Sequence, residues 1–463
     1  MSQPEPASGA SGLGDVIRYA PTDGLTYNPN SPKYWDEAAL QKELDRAFDL
    51  CNGCRMCFKY CPSFPTLFDA CDEHGDVRKL PQATRDRVID ECFQCKLCYT
   101  ACPYTDAEGH EFRLDFPRLL MRANAVRRRK SGVPLREKVL SNPDRLGKMA
   151  TLTPGLANFA NEFRPHRALM RTVLGIHPDK KLPRFATRTF SEWFAEHAGG
   201  RDEIAGGTHR VVLFSTCFVQ WNEPEIGQAA VEVLEHNDCK VACPKTNCCG
   251  MPALDGGDIA FAREQAERNV RALLPWVEKG YQVAAVNPTC SLMMREEYPE
   301  LLDDPARPEL AEAAKKVAAA TRDVCEYAYG LRAEGNFRED FKSTPGGPVA
   351  YHAPCHLRKQ QVGFRGRDLI RRIPGAQPRL VQECCGHDGT WAMKEEYFEL
   401  SLKVGQRAFD EMKSHDAAVW STDCPLAALQ FEQACGVKPL HPMQVLARAY
   451  REDGFPERVP AKE

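Results

Sequence analysis

Two copies of one cysteine run constrain this chain more than any other feature: Cys51-x-x-Cys54-x-x-Cys57-x-x-x-Cys61-Pro62 and Cys92-x-x-Cys95-x-x-Cys98-x-x-x-Cys102-Pro103. Three thiolates at this interval suit three irons of one cube, while the cysteine before proline is turned toward a second cube. The spacing assigns Cys51, Cys54, Cys57 and Cys102 to one [4Fe–4S] cluster, and Cys92, Cys95, Cys98 and Cys61 to another. Paired four-cysteine zinc sites are the rival. Their C-x2-C units come in twos, not as a triplet followed by Cys-Pro. In all, 21 of the 463 residues are cysteine. The N-terminus, Met1 to Gly9, lacks the basic start and apolar core of an export signal, so a cytoplasmic protein is expected. In that reducing compartment an excess of thiols means metal ligation or redox chemistry rather than disulfides.

Residues 1–30, rich in Pro, Ser, Gly and Ala, read as a flexible arm. A helix is expected at 36–50, running into the first cysteine. Thirty residues separate Cys61 from Cys92, and Val77-Arg-Lys-Leu80 and Thr84 to Asp90 within them read as helix. A helical dicluster ferredoxin domain, similar to those of succinate dehydrogenase-type subunits, is therefore expected over 31–132, followed by a helical linker over 133–207. Cys71 reads as a spare thiol, and the basic run Arg127–Lys130 as a solvated helix face.

Downstream a second pattern takes over. A β-type run, Val211 to Cys217, ends in cysteine; helical periodicity at 223–236, Cys248-Cys249-Gly250, a helix at 258–279, the β run Val283–Val286 and Cys290 follow. The order recurs as Val349 to Cys355, Cys384-Cys385-Gly386, a helix at 394–413, Ala417–Ser421 and Cys424. Equivalent cysteines are offset by 138, 136, 136 and 134 residues, which indicates an internal duplication. Two α/β modules with mainly parallel sheets are expected, at 208–335 and 345–452, with a tail at 453–463. Each strand-end cysteine sits where open α/β sheets gather ligands. Cys217, Cys248, Cys249 and Cys290, with Cys355, Cys384, Cys385 and Cys424, are thus candidates for a further iron–sulfur or thiol-ligated metal site. Gly250 and Gly386 lack the Cβ that would keep backbone from a cofactor. His352 and His356 flank Cys355, and His387 follows Gly386; each is a candidate ligand or proton carrier, or else a strand-end or cap residue. Cys239, Cys243, Cys325 and Cys435 read as incidental burial.

These modules resemble the cysteine-rich "CCG" domain of heterodisulfide reductase. Residues 45–450 together resemble the iron–sulfur subunit of anaerobic glycerol-3-phosphate dehydrogenase and the glycolate oxidase iron–sulfur subunit. Besides the ferredoxin motifs, the likeness rests on Asp115-Phe-Pro-Arg-Leu-Leu-Met-Arg-Ala, Asn287-Pro-Thr-Cys290-Ser-Leu-Met293, Tyr351-His-Ala-Pro-Cys355-His356-Leu, Cys384-Cys385-Gly386-His-Asp-Gly389-Thr and Thr422-Asp423-Cys424. In heterodisulfide reductases the pattern closes with C-x-x-C. Here Met293 and Ala427 stand at the final positions, which argues against five-thiolate clusters and against disulfide reduction.

The resemblance implies an electron-transfer subunit. It would relay electrons from a flavoprotein dehydrogenase or other redox protein, through two [4Fe–4S] clusters and the cysteine-rich site, to a quinone or redox protein. The alternative is a thiol or heterodisulfide reductase working at the Cys-Cys pairs. No phosphate loop, strand-linked G-x-G-x-x-G or G-x-S-x-G is present, so neither bound flavin nor NAD is expected. With 61 basic against 64 acidic residues the overall charge points to no nucleic acid. No apolar run is long enough to span a membrane, which leaves at most peripheral association with its cytoplasmic face.

Overall fold

A computed structural model describes residues 17–204 and 206–456. Helix α1 (Glu37–Cys54) opens on Asp36, whose carboxylate accepts the Ala39 N–H at 3.1 Å, and closes on left-handed Arg55. Its buried face, Leu40, Leu44, Ala47 and Phe48, shares one core with α2 (Ser63–His74), α3 (Gln82–Glu91) and α5 (Phe116–Ser131). A single turn, α4 (Leu97–Thr100), carries Cys98. Among the described residues 17–132 there is no strand; Cys51, Cys54 and Cys98 are helical, and the other five cysteines of the two runs sit in the turns and loops between helices.

The arm expected over 1–30 is corrected for its described part, residues 17–30. Fully buried Arg46 donates to the carbonyls of Tyr19 and Phe112, both at 2.8 Å, and Arg122 to that of Gly24 at 2.8 Å. Buried guanidinium groups need such acceptors, and the extended segment supplies them. Residues 1–16 of the arm and 457–463 of the tail lie outside the described residues. Of the run Arg127–Lys130, half-buried Arg127 pairs with Asp90, while Arg129, 4.5 Å over Trp35, and Lys130, paired with Glu37, are exposed, so the solvated face is confined to its last two residues.

Five short helices lie in the linker: α6 (Leu135–Leu140), α7 (Pro143–Ala150), α8 (Pro154–Glu162), α9 (Arg164–Leu174) and α10 (Phe190–His197). Two parallel sheets follow. The first holds β1 (His209–Phe214), β2 (Cys239–Ala242), β3 (Gln282–Ala285) and β4 (Thr321–Asp323) in the order β2-β1-β3-β4. The second holds β5 (Pro348–His352), β6 (Gln377–Val381) and β7 (Val419–Thr422) in the order β6-β5-β7. Val212 pairs with Val283 in one, and Val349 with Val419 in the other. In each sheet the chain winds one way from its first strand and then the other. The two switch points lie between β1 and β3 and between β5 and β7, and the segments leaving those four strands carry Cys217, Cys290, Cys355 and Cys424. Val211 and Val231 of the first module and Val349 and Leu446 of the second belong to one core, so the modules are packed together.

Candidate metal and redox centre

Cys51, Cys54, Cys57 and Cys102 line one hollow, backed by Leu50, Phe64 and Tyr104. Burial, and then the sulfurs of Cys102 and Cys54, together push the Cys57 thiol up to about 12. The other four form a second group. Burial and the neighbouring Cys92 raise Cys61, while Cys98 responds to burial, then to Cys61 and Cys92, and Cys95 also feels Cys61. Each trio is therefore joined by the last cysteine of the other motif. The two runs also fold alike: Arg55 after Cys54 and Lys96 after Cys95 are both left-handed, at φ 54° and 60°. The groups adjoin, with Cys57 Sγ 3.8 Å from the Cys98 carbonyl.

In the first module the thiols form a chain, Cys217 to Cys248 to Cys249 to Cys290, each set against its neighbour's sulfur. In the second, Cys355 is raised by burial and by Cys384, Cys385 and Cys424. Two contacts link the sets. Cys290 feels Cys424 across the module boundary. Cys95 hydrogen-bonds Cys384, which holds the Cys384 thiol below its usual range and raises Cys95. The sixteen sequence-predicted cysteines thus fall into four groups, the second joined to the second module by the Cys95–Cys384 hydrogen bond and the two modules related by the electrostatic influence of Cys424 on Cys290. Cys71, Cys325 and Cys435 stay apart from them, and buried Cys239 and half-buried Cys243 lie on and just after β2.

The histidines do not serve as free ligands. His356 Nε2 faces the Gln94 carbonyl at 3.0 Å, so it carries the proton and Nδ1 accepts from Thr289 Oγ1 at 2.9 Å. One imidazole therefore ties the N-terminal helical part to both modules. His352 is held likewise between Thr422 Oγ1 at 3.0 Å and the Glu383 carbonyl at 3.2 Å. Burial lowers both to about 4, so they are neutral. His387 is also buried; its Nδ1 lies 3.4 Å from Lys180 Nζ, which donates to Gln430 at 2.6 Å. The glycine expectation is corrected too. A Cβ on Gly386 (φ 72°) would lie 2.0 Å from the Ser401 carbonyl, and one on Gly250 (φ 92°) would lie 3.3 Å from that of Ala262. Both glycines admit a neighbouring helix, not a cofactor.

Other contributors carried no sequence signal. Asp144 at the start of α7 accepts the Cys248 N–H at 2.6 Å and the Trp221 indole N–H at 2.9 Å. Lys96 and Arg118 converge on Glu297, at 3.0 and 3.3 Å. Asp255 and Asp388 line an internal hollow with Cys92, and burial lifts Asp255 to about 7. Met293 and Ala427 are buried, Met293 within a π-helical turn, Met293–Glu297.

Comparison with known proteins fits this arrangement. The cysteine-rich domain family CCG matches residues 211–295 and 349–432, one match per sheet. Anaerobic glycerol-3-phosphate dehydrogenase of Escherichia coli (strain K12) has a subunit, designated C, that is 31% identical over 326 residues, covering 68% of this chain and 77% of that one. The chain belongs to the family of that dehydrogenase subunit. A second kind of relative matches a shorter stretch: lactate utilization protein A of Geobacillus thermodenitrificans is 29% identical over 191 residues, 40% of this chain and 75% of that one. Within this family, the chain has a mixed helical and α/β fold with two cysteine-rich domains on parallel sheets. No described helix is long and apolar enough to cross a membrane.

Proposed function

We propose that this chain is the iron–sulfur electron-transfer subunit of a dehydrogenase complex. It would take electrons from a flavoprotein dehydrogenase or similar redox partner and pass them to a quinone or another redox protein, at the cytoplasmic face of a membrane. The observation that carries the reading is the clustering of the cysteines in four all-sulfur groups, with Cys95 hydrogen-bonded to Cys384 between the helical part and the second module and Cys290 within electrostatic reach of Cys424 between the modules.

The donors fit the cofactor. Each group is four thiols, a soft set that favours iron–sulfur clusters over hard cations. Cys51, Cys54, Cys57 and Cys102 would hold one [4Fe–4S] cluster, and Cys61, Cys92, Cys95 and Cys98 the other. The module cysteines would hold a further iron–sulfur or thiol-ligated site. Such clusters, when bound, supply one-electron carriers whose potentials respond to hydrogen bonds at sulfur and to burial. The chain's own residues supply those controls. Gln94 Nε2 reaches Cys92 Sγ at 3.5 Å, and the Gly386 N–H reaches Cys384 Sγ at 3.4 Å. Phe93 and Trp391, ring centroids 4.8 Å apart, shield Cys95 from water. Neutral His356 fixes the loop beside Cys95 without adding charge.

Anaerobically purified protein should carry at least about eight irons, from two four-iron clusters, with matching sulfide and EPR signals on reduction. Zinc without iron would sink the proposal.

A further inference from the structure

The linker, which the relay does not use, carries most of the surface's apolar excess. Among the described residues, eight of the eleven exposed large hydrophobic side chains fall between Leu135 and Val173. They are ordered. Leu156 and Phe159, three residues apart, lie on one face of α8, with Leu152 in the turn just before it and Phe163 at its C-cap. The Phe159 and Phe163 rings stack at 5.4 Å on the outside, and Leu152 is 80% exposed. Leu169 and Val173 continue the face on α9.

The charge of this stretch departs from the chain's. Residues 135–174 hold seven Lys and Arg against three Asp and Glu, whereas the whole chain holds 61 against 64. Exposed Lys138, Arg145, Lys148 and Arg164 have no carboxylate partner among the described residues. Apolar side chains on short amphipathic helices, rimmed by unpaired cations, match the interfacial zone of an anionic bilayer: alkyl and phenyl groups enter the acyl boundary while ammonium and guanidinium groups meet the headgroups.

The inner side of the same helices is fastened to both cysteine-rich modules. At one end Asp144 binds the Cys248 N–H and the Trp221 indole, and Gly147 lets α7 sit on that indole, since a Cβ there would lie 2.2 Å from the ring. At the other end Arg167 donates to the carbonyls of His177 and Lys180, both at 2.7 Å, and Lys180 reaches Gln430 and His387 beside Cys385. The helices thus bridge the two sets of thiols.

We infer that α7–α9 form a membrane-docking cap, which lies on anionic phospholipid and holds both cysteine-rich sites against the bilayer surface. The inference rests on the membrane association within the proposed function and names the face that makes it. A lipid-soluble acceptor would then be met at the modules, with the ferredoxin-like helices left for the protein donor.

Full-length, anaerobically purified protein tests this by flotation with phosphatidylcholine vesicles, with and without phosphatidylglycerol. The protein should float with the anionic vesicles, at least about tenfold less with neutral ones, and less in high salt. Replacing Leu152, Leu156, Phe159 and Phe163 together by Ser should cut flotation at least about tenfold. Those side chains face solvent, so circular dichroism should not change. Arg145→Gln with Lys148→Gln and Arg164→Gln should remove the preference for phosphatidylglycerol. Failure of the unaltered protein to float, or equal flotation of the serine variant, overturns the inference. So does a dimer that the serine variant breaks without any lipid binding, which would make the face a self-interface. Iron measured on the same samples reports on the electron-transfer reading separately.

Discussion

Replacing Glu297 by Gln would expose how firmly the helical part is bound to the first module. Its carboxylate closes the π-helical turn after Cys290 and is met by Lys96 at 3.0 Å and Arg118 at 3.3 Å, with side-chain exposures of 2% for Lys96 and 5% for Glu297. Burial alone would raise its pKa, but Arg118 and then Lys96 overrule it and hold the group at about 2, against an ordinary 4.5. A displacement of that size corresponds to about 3 kcal/mol. An independent route agrees: removing one member of a buried ion pair costs roughly 3–5 kcal/mol, because the remaining charges lose their partner. At a urea dependence of about 2 kcal/mol per molar, unfolding of the first module should move roughly 1.5 M lower in the variant. Because the folded value lies below the unfolded one, the carboxylate stabilises fully above pH 4.5 and loses its contribution as pH falls toward 2. The gap between the two proteins should therefore narrow over that window. Anaerobic urea titrations followed by tryptophan fluorescence read both effects. A midpoint within about 0.3 M of the unaltered protein, or a gap independent of pH, would refute the reasoning.

Three further outcomes follow from other parts of the fold. Buried His441 caps the helix Pro442–Ala449 through Nδ1 and is held neutral, its pKa lowered by burial to about 3; acid should destabilise the protein as pH falls from 6.5 toward 3, and His441→Asn should flatten that profile in thermal melts. Gly386→Ala, with a Cβ 2.0 Å from a helix carbonyl, should cost well over about 2 kcal/mol, and Gly250→Ala, at 3.3 Å, clearly less; equal melting temperatures would remove the packing argument. Cys95→Ser should lower iron content by about four atoms while Cys71→Ser leaves it unchanged, and loss in both would show that the ligand grouping is misjudged.

Local order could be read from the residues alone. The step of the four module cysteines and the β runs Val211–Cys217 and Val349–Cys355 are regular patterns; strands are present at both runs but end at Phe214 and His352, and Cys217 and Cys355 lie in the helices that follow. Strands β2, β4 and β6 escaped notice because none is an apolar run: they read Cys-Lys-Val-Ala, Thr-Arg-Asp and Gln377-Pro378-Arg-Leu-Val381, the last an edge strand with alternating burial. Contacts between distant segments left no trace either. His356 looked like a possible ligand because it adjoins Cys355; only three dimensions bring Gln94 and Thr289 to its ring nitrogens. Gly386 showed a need for space without showing that helix Phe398–Ser414 occupies it. The arm illustrates the same limit, since composition reported its low hydrophobicity and not the buried Arg46 and Arg122 that capture its carbonyls.

The position of Trp391 bears on how the protein is made. Its indole donates to the Asp90 carbonyl at 3.1 Å and its ring packs on Phe93, walling in the loop that carries Cys92 and Cys95. Domains fold largely in the order of their synthesis. The helical part is therefore complete roughly 260 residues before its outer wall emerges from the ribosome. Through that interval the Cys92–Cys98 loop stands open to the machinery that delivers metal and sulfide, and arrival of the second module shuts it. A chain truncated before Trp391 should accept iron readily and lose it readily, because the door would never close.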